Sequence, residues 1–242
     1  MKSLIGLATA LTIAFAPALP ARAADRIAVV AAENFYGGVA REIGGERVAV
    51  ISILNNPDQD PHLFETTPTV VRQVAAAQVV VLNGAGYDSW MEKLLAVSPK
   101  PGRAVIAAAD LMHQKAGGNP HLWYDPRTMP AVAGALAAAL TTADPAHKNE
   151  YAARLKTFLA SLAPLNDKIA AIRGKYAGTP VTATEPVFGD MAAALGLTMH
   201  NERFQLAVMN GTEPAARDFA QFEQGLKGRA VRVLFYNTQA RS

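Results

Sequence analysis

Cysteine is absent from this chain of 242 residues, and that absence narrows the chemistry available to it. Disulfide bonds, thiolate zinc sites and cysteine nucleophiles are all excluded. The strong metal donors that remain are the imidazole nitrogens of histidine and the carboxylate oxygens of aspartate and glutamate. Any metal site in this protein must therefore be built from nitrogen and oxygen atoms.

Clusters of positive charge and the signature motifs of several enzyme classes are also missing. Lys and Arg number 23 against 20 acidic residues, and no basic cluster stands out, which argues against a nucleic-acid partner. Ser89 lies in no Gly-x-Ser-x-Gly motif, and the chain has neither a His-Glu-x-x-His motif nor a glycine-rich phosphate loop. The sequence therefore gives no support to a serine hydrolase or a nucleotide-binding enzyme.

The first 23 residues have the pattern of a secretory signal peptide. Lys2 is followed by an uncharged apolar run at 4–16, and the segment 21–23 is Ala-Arg-Ala, which suits signal peptidase. A membrane anchor is the alternative, but the run is short and Pro17 follows it, whereas a spanning helix needs roughly 20 apolar residues. We interpret the chain as a periplasmic protein exported by a cleaved signal peptide.

Short β-branched runs alternate with helical patterns, which predicts an α/β fold with parallel strands. The strands are apolar on both sides, as expected for sheets that helices cover on both faces. Predicted strands occupy 27–30, 48–53, 79–82, 105–107, 181–184, 197–199 and 231–236. Predicted helices include 90–97, 187–195 and 213–226.

A long helical pattern separates the two halves of the chain. It opens with Asp144 as the expected N-cap and Pro145 as the first helical residue, and it continues to Gly174. At ~1.5 Å per residue it would span roughly 45 Å, which suits a strut between two lobes. Pro164 lies inside this pattern and should bend or break it. Two ordinary helices that meet at Pro164 are the alternative.

The expected organisation is a signal peptide at 1–23, an N-terminal α/β lobe at 24–142, a linker helix at 143–177 and a C-terminal α/β lobe at 178–242. The last predicted strand, 231–236, has no helix after it that could cover it. Such a strand would leave an exposed sheet edge. We therefore expect the second lobe to be incomplete, truncated relative to a whole fold.

Two segments of the sequence place a histidine directly after proline and shortly before an aromatic residue. They are Asp60-Pro61-His62-Leu63-Phe64 and Asn119-Pro120-His121-Leu122-Trp123. Proline restricts its own backbone and that of the preceding residue, so each imidazole lies on a stiff loop with less entropy to lose on binding. Loop histidines without a ligand are the alternative, but the repetition at two junctions of the α/β pattern favours metal ligation.

Glu185 is the third candidate ligand because it follows the predicted strand 181–184 and precedes Pro186 and a helix. Ligands in parallel α/β sheets gather beyond the carboxyl ends of the strands. The alternative is that its charge merely suits a helix start. We do not expect the remaining histidines to bind metal; these are His113, His147 and His200.

Taken together, these residues resemble the periplasmic or surface-anchored zinc and manganese solute-binding proteins of metal ABC importers. The resemblance covers nearly the whole chain after residue 23. It rests on 60–65 with Thr67-Pro68, on Asn83-Gly84 with Asp88 and Trp90, on 119–126, and on Thr184-Glu185. It implies that His62 and His121 are the first two metal ligands and that Glu185 is the third, at a position where many zinc importers have histidine and many manganese-type members have glutamate.

The same resemblance implies a monomeric, two-lobed binding protein that is not an enzyme. One long helix would join the lobes, a divalent cation would lie between them, and the cation would pass to the permease of an ABC importer. The chain departs from the family in two places: the fourth ligand would lie beyond Ser242, and the loop before the second histidine is short, with only His113. Two imidazoles and a carboxylate favour zinc narrowly over manganese.

A different functional class remains open on the sequence alone. Two histidines and a carboxylate with one open position also describe the zinc site of an exported metallohydrolase, which would need a general base. Glu65 is the candidate base, although it could equally orient one of the histidines. A role as an adhesin is a third interpretation, which no repeat or low-complexity segment supports.

Overall fold

The computed structural model describes residues 26–56, 59, 61 and 64–237. The predicted signal peptide and His62 lie outside these residues. Within them, four parallel strands form the first sheet in the order β2-β1-β3-β4. The strands are β1 (Ile27–Glu33), β2 (Val48–Leu54), β3 (Val79–Leu82) and β4 (Ala104–Ala107). All four occur where the sequence predicts them.

Helices cover both faces of this sheet, as predicted. They are α1 (Asn34–Gly44), α2 (Pro68–Ala76), α3 (Ser89–Val97), α4 (Ala108–Leu111) and α5 (Thr128–Ala143). Successive side chains of β1 point to opposite faces, so Val29 joins a core with Leu136 of α5, whereas Val30 joins a second core with Val74 of α2. This division explains why the central strands β1 and β3 show no polar side: both of their faces are buried.

The linker contains two helices, α6 (Lys148–Ser161) and α7 (Ala163–Tyr176), which only Leu162 separates. Leu162 keeps helical backbone angles, with φ −84° and ψ −8°, and Pro164 lies in the first turn of α7. The predicted long helix with a bend near Pro164 is therefore confirmed. A proline tolerates this position because the first backbone N–H groups of a helix have no partner within it.

The predicted N-cap of the linker is wrong in its bonding. A 3-10 turn at Pro145–His147 precedes α6, and the Asp144 carboxylate caps no backbone N–H group. Asp144 Oδ2 instead accepts a hydrogen bond of 2.9 Å from the Tyr151 hydroxyl and lies 2.7 Å from His147 Nδ1. Side chains one and two turns into the linker thus compete successfully for the carboxylate.

The second sheet is smaller, with three parallel strands in the order β6-β5-β7. Its elements are β5 (Pro180–Ala183), α8 (Gly189–Ala194), β6 (Thr198–His200), α9 (Glu202–Met209), α10 (Ala216–Lys227) and β7 (Val233–Phe235). The strands confirm the prediction, whereas α9 was not predicted. The segment predicted as one helix at 187–195 divides into a 3-10 turn, Pro186–Phe188, and α8.

Strand β7 lies at an edge of this second sheet, as predicted. It pairs with β5 on one side, and its residues Val233 and Leu234 remain 44% and 41% exposed within the described part of the protein. The limits of the two lobes and the incompleteness of the second remain predictions. No helix in the described ranges combines the length and apolar character that a membrane span requires.

We expect Leu136→Ala to lower the free energy of unfolding by about 2–5 kcal/mol, because Leu136 is fully buried against the first sheet and its truncation leaves a cavity. Leu159→Ala is the matched control: Leu159 is 42% exposed on α6, so the change should stay within about 0.5 kcal/mol. Urea unfolding followed by circular dichroism measures both. Equal effects of the two substitutions would contradict this packing.

Candidate metal centre

His121 is a buried histidine whose ring orientation is set by a neighbour in its own loop. The residue is 8% exposed and precedes a 3-10 turn at Leu122–Tyr124. Asn119 Oδ1 accepts a hydrogen bond of 3.2 Å from the His121 backbone N–H and lies 2.7 Å from His121 Nδ1. A backbone N–H can only donate, so the accepting atom is the amide oxygen, and Nδ1 must carry a hydrogen. In neutral His121 the lone pair is then on Nε2, the atom that can bind a cation.

Aromatic rings surround the His121 ring. Trp123 and Tyr87 have ring centroids 5.3 and 5.9 Å from it, and both approach edge-on. Trp123 in turn packs on Phe35 at 4.6 Å, next to the carboxyl end of β1. These rings limit the motion of the imidazole, and they exclude much of the solvent that would otherwise compete for it.

The loop that carries His121 is fastened to the first sheet by Asn83, which directly follows β3. Asn83 Nδ2 donates to the carbonyl of Pro120 at 2.8 Å and to that of Gly84 at 2.9 Å, while its Oδ1 accepts from the Tyr36 hydroxyl at 2.7 Å. The side chain thus uses both amide hydrogens and its oxygen, and Asn83 is fully buried. The residue before His121 is therefore fixed by a buried polar network.

Two buried acids, Asp88 and Glu33, lie next to this network. The Asp88 carboxylate accepts hydrogen bonds from the backbone N–H groups of Asn83 and Gly84, at 2.6 and 2.8 Å. Glu33, at the end of β1, is 2% exposed, and its burial, together with the negative charge of Asp88, raises the pKa of its carboxyl well above the usual 4.5. A neutral Glu33 beside a charged Asp88 is the arrangement that this environment favours.

Glu185 lies between β5 and the 3-10 turn Pro186–Phe188, at the carboxyl end of the second sheet. Its Oε2 accepts a hydrogen bond of 2.9 Å from Asn237 Nδ2. Glu185 lines a cavity of about 340 Å³, and so does Tyr124, three residues after His121 in the chain. The remaining lining residues are Val187, Phe188, Phe235, Tyr236 and Asn237. The loop of His121 and the end of the second sheet therefore meet at one cavity.

The Glu185 side chain and Tyr124, from the loop that carries His121, thus line the same cavity, whereas His62 lies outside the described residues. Within the described ranges, no three His, Asp or Glu side chains lie close enough to hold a metal ion. The joint ligation by His62, His121 and Glu185 therefore stays a prediction. Glu65, the base that a metallohydrolase would need, is an exposed residue.

The other histidines lie apart from this cavity. His113 and His200 are exposed, and His147 is bound to Asp144. A larger cavity of about 680 Å³ lies against α9 and α10, includes His200 in its wall, and shares no lining residue with the Glu185 cavity.

Sequence reasoning assigned no structural role to the polar residues that surround the His121 loop. Asn83 and Asp88 entered it only as members of a family motif, and Glu33 did not enter it at all. A signal was available, because Glu33 is an acid at the end of an apolar strand, where burial is expected. Asn119 also gave a local signal, because an asparagine two positions before a histidine can form a hydrogen bond to it with its side chain.

Comparisons with known proteins agree with this architecture. The model of the family described as zinc-uptake complex component A, periplasmic, matches residues 29–242. A crystal structure of ZnuA is 25% identical with a TM-score of 0.69, and the match covers 90% of this chain and 84% of that one. The periplasmic zinc binding protein TroA from Treponema pallidum is similar in fold, with 17% identity, a TM-score of 0.72, and coverage of 89% and 79%. These likenesses confirm the predicted two-lobed α/β fold.

Curated relatives differ in the metal that their names carry. The iron-binding protein YfeA of Yersinia pestis is 25% identical over 171 residues, which cover 66% of this chain and 55% of that protein. The chain spans about half the length of several curated relatives that it matches. Relatives named for zinc and for iron both occur, so the comparisons do not determine which metal this chain binds.

We expect Glu33→Gln to flatten the pH dependence of stability. Because the carboxyl pKa of Glu33 is raised in the folded state, the unfolded chain loses this proton first as the pH rises above about 4.5. The folded protein then binds more protons than the unfolded one, so the free energy of unfolding falls by up to about 1.4 kcal/mol per pH unit until Glu33 ionises. Glutamine keeps the shape and a donor without this loss.

Chemical unfolding between pH 4 and pH 9 measures the effect, with Glu46→Gln as the control because Glu46 is exposed. We expect the Glu33→Gln protein to lose less stability with rising pH than the wild type and the control. An unchanged slope would show that Glu33 is not the buried acid responsible.

Proposed function

This chain belongs to the family of the periplasmic zinc-uptake complex component A, and we propose that it captures one divalent cation with His62, His121 and Glu185 and delivers it to the permease of an ABC importer. The family consists of metal-binding, substrate-binding components of ABC importers, not of enzymes. The cation is the cargo of the protein, and capture requires no chemical step.

The observation that carries this proposal is the fixed orientation of His121. Asn119 holds hydrogen on Nδ1, which places the lone pair of the neutral ring on Nε2, a nitrogen that can act as a metal ligand. Histidine ligands to metals usually donate a hydrogen bond from the N–H of their second ring nitrogen to an oxygen acceptor in this way, which fixes the ring and raises the basicity of the ligating nitrogen. Because Tyr124 of the same loop lines the Glu185 cavity, a carboxylate from the second sheet lies near.

Contacts at the start of α3 support a place for His62 in the same site. Phe64, two residues after His62, packs against Trp90 in the first turn of α3, with ring centroids 4.5 Å apart. Tyr87, just before that helix, contacts the His121 ring. Segments that adjoin both histidines therefore meet at the start of one helix, which is what a shared ion would require.

The donor set favours zinc. Two imidazole nitrogens and one carboxylate oxygen match the usual ligands of tetrahedral Zn²⁺, with one position left for water or a further ligand. Manganese prefers more oxygen donors, and intrinsic affinities at such sites follow the order in which zinc exceeds manganese. We therefore propose zinc narrowly over manganese as the cargo. We also propose that the protein is a monomer and that its signal peptide, residues 1–23, is cleaved on export.

Isothermal titration of the purified protein with zinc tests the ligand set. We expect one zinc ion per chain, and at least about tenfold weaker binding for each of His62→Ala, His121→Ala and Glu185→Ala, because each removes a direct donor. His113→Ala is the matched control, since His113 is exposed in a separate loop. Competition with manganese in the same titration should leave most of the zinc bound.

Wild-type affinity in His121→Ala and Glu185→Ala would contradict the proposed site. A loss of equal size in His113→Ala would also contradict it, because the effect would then reflect histidine content and not position. Preferential retention of manganese would overturn the choice of zinc while leaving the site itself in place.

A further inference from the structure

A hydrogen-bonded chain joins the His121 ring to the second half of the molecule. Asn119 Oδ1 accepts from His121, and Asn119 Nδ2 donates to Asp190 Oδ2 at 3.3 Å. Asp190 lies on α8, which follows the turn after Glu185. One amide therefore contacts the candidate ligand of the first lobe with its oxygen and an acid of the second lobe with its nitrogen.

We propose that Asp190 is a positioning residue for metal capture, which acts through Asn119 to hold the His121 ring with Nε2 directed to the cation. The inference rests on the proposed function, because it assigns a role at the same site. A carboxylate oxygen can only accept, so Asp190 selects the amide orientation in which nitrogen faces α8 and oxygen faces His121. The flipped amide would set its oxygen against the carboxylate and its nitrogen against two donors.

The local backbone is shaped for this contact. Gly189 precedes Asp190 at the start of α8, and a Cβ atom there would lie 3.3 Å from Asn119 Nδ2. Such a distance is tighter than an ordinary contact, so glycine lets the amide approach the helix. Gly189 has ordinary helical backbone angles, with φ −58° and ψ −49°, so conformational freedom does not explain its presence.

The side-chain amide of Asn119 is the hydrogen-bond partner of Asp190, because the nearby charged side chains bind each other. Asp125 and Arg127 are the charged groups that act on Asp190, and they are engaged with each other through bonds of 3.0 Å from Arg127 Nε and 2.6 Å from its Nη2. No other side-chain hydrogen bond to Asp190 occurs in the part of the chain that the structure describes. Asn119 therefore receives the directional interaction of this carboxylate.

The test compares Asp190→Ala with Asp190→Asn. Alanine removes the acceptor, whereas the asparagine oxygen can still accept from Asn119, so only the first should disturb His121. We expect Asp190→Ala to raise the zinc Kd about tenfold, in the range known for residues that support metal ligands, and Asp190→Asn to stay within about twofold of the wild type. Asp167→Ala, an exposed acid on α7, is the matched control.

A second readout needs no metal. The ¹⁵N chemical shifts of the His121 ring in the metal-free protein report which ring nitrogen carries hydrogen, and we expect the Nδ1–H form in the wild type and Asp190→Asn. Asp190→Ala should show a mixture of the two tautomers, while its unfolding midpoint shows that the protein is folded. The resonances are identified by their loss in His121→Gln.

The outcomes separate this inference from the proposed function. Unchanged ring shifts and zinc affinity in Asp190→Ala would overturn the role of Asp190, even if His121→Ala abolishes binding. An equal loss in Asp190→Asn would also overturn it, because charge and not hydrogen bonding would then matter. If His121→Ala binds zinc like the wild type, the proposed site fails, whereas the ring shifts still decide whether Asp190 orients His121.

Discussion

The amide oxygen of Asn119 accepts two hydrogens from the same residue, one from the backbone and one from the ring of His121. This pair of bonds determines which nitrogen of the imidazole can meet a cation, and it does so before any cation arrives. Pre-organisation of this kind reduces the entropy that the ligand must lose on binding. The burial of His121 strengthens the preference for this ring orientation, because few water molecules can offer alternative hydrogen-bond partners.

The rest of the first lobe supports that loop at a cost in stability. Asn83, Asp88 and Glu33 are polar or ionisable groups at the carboxyl edge of an otherwise apolar sheet, and their burial is unfavourable unless each is satisfied. Asn83 is satisfied by Tyr36 and Pro120, and Asp88 by two backbone N–H groups. Burial of Glu33 is the least favourable for stability, because it raises the carboxyl pKa and favours the neutral acid. Such groups concentrate where a site, and not a core, is being built.

Sequence patterns predicted all seven strands, most clearly β1 and β3, because a strand buried on both faces must be continuously apolar. They predicted less about helices with weak patterns: α9 was missed, since Glu202 and Arg203 begin a short helix without a proline or side-chain cap. The Asp144 cap was wrong because His147 and Tyr151 compete for its carboxylate.

The candidate site was only partly predictable for a similar reason. The Pro-His pairs mark His62 and His121 as candidate ligands, because proline leaves a strong local signal. The residues that orient His121 act over long distances: Asn83 reaches Pro120, 37 positions away, and Asn119 reaches Asp190, 71 positions away. Contacts of this kind depend on tertiary packing between segments distant in the chain, which a single sequence does not encode in any local pattern.

A crystal structure of the zinc-loaded protein, with the ion located by its anomalous scattering, tests the central claim most directly. We expect one zinc ion about 2.0–2.2 Å from His121 Nε2, from a ring nitrogen of His62 and from a carboxylate oxygen of Glu185, while His121 Nδ1 still faces Asn119. An ion bound to His121 through Nδ1, or held elsewhere without His121, would contradict the account.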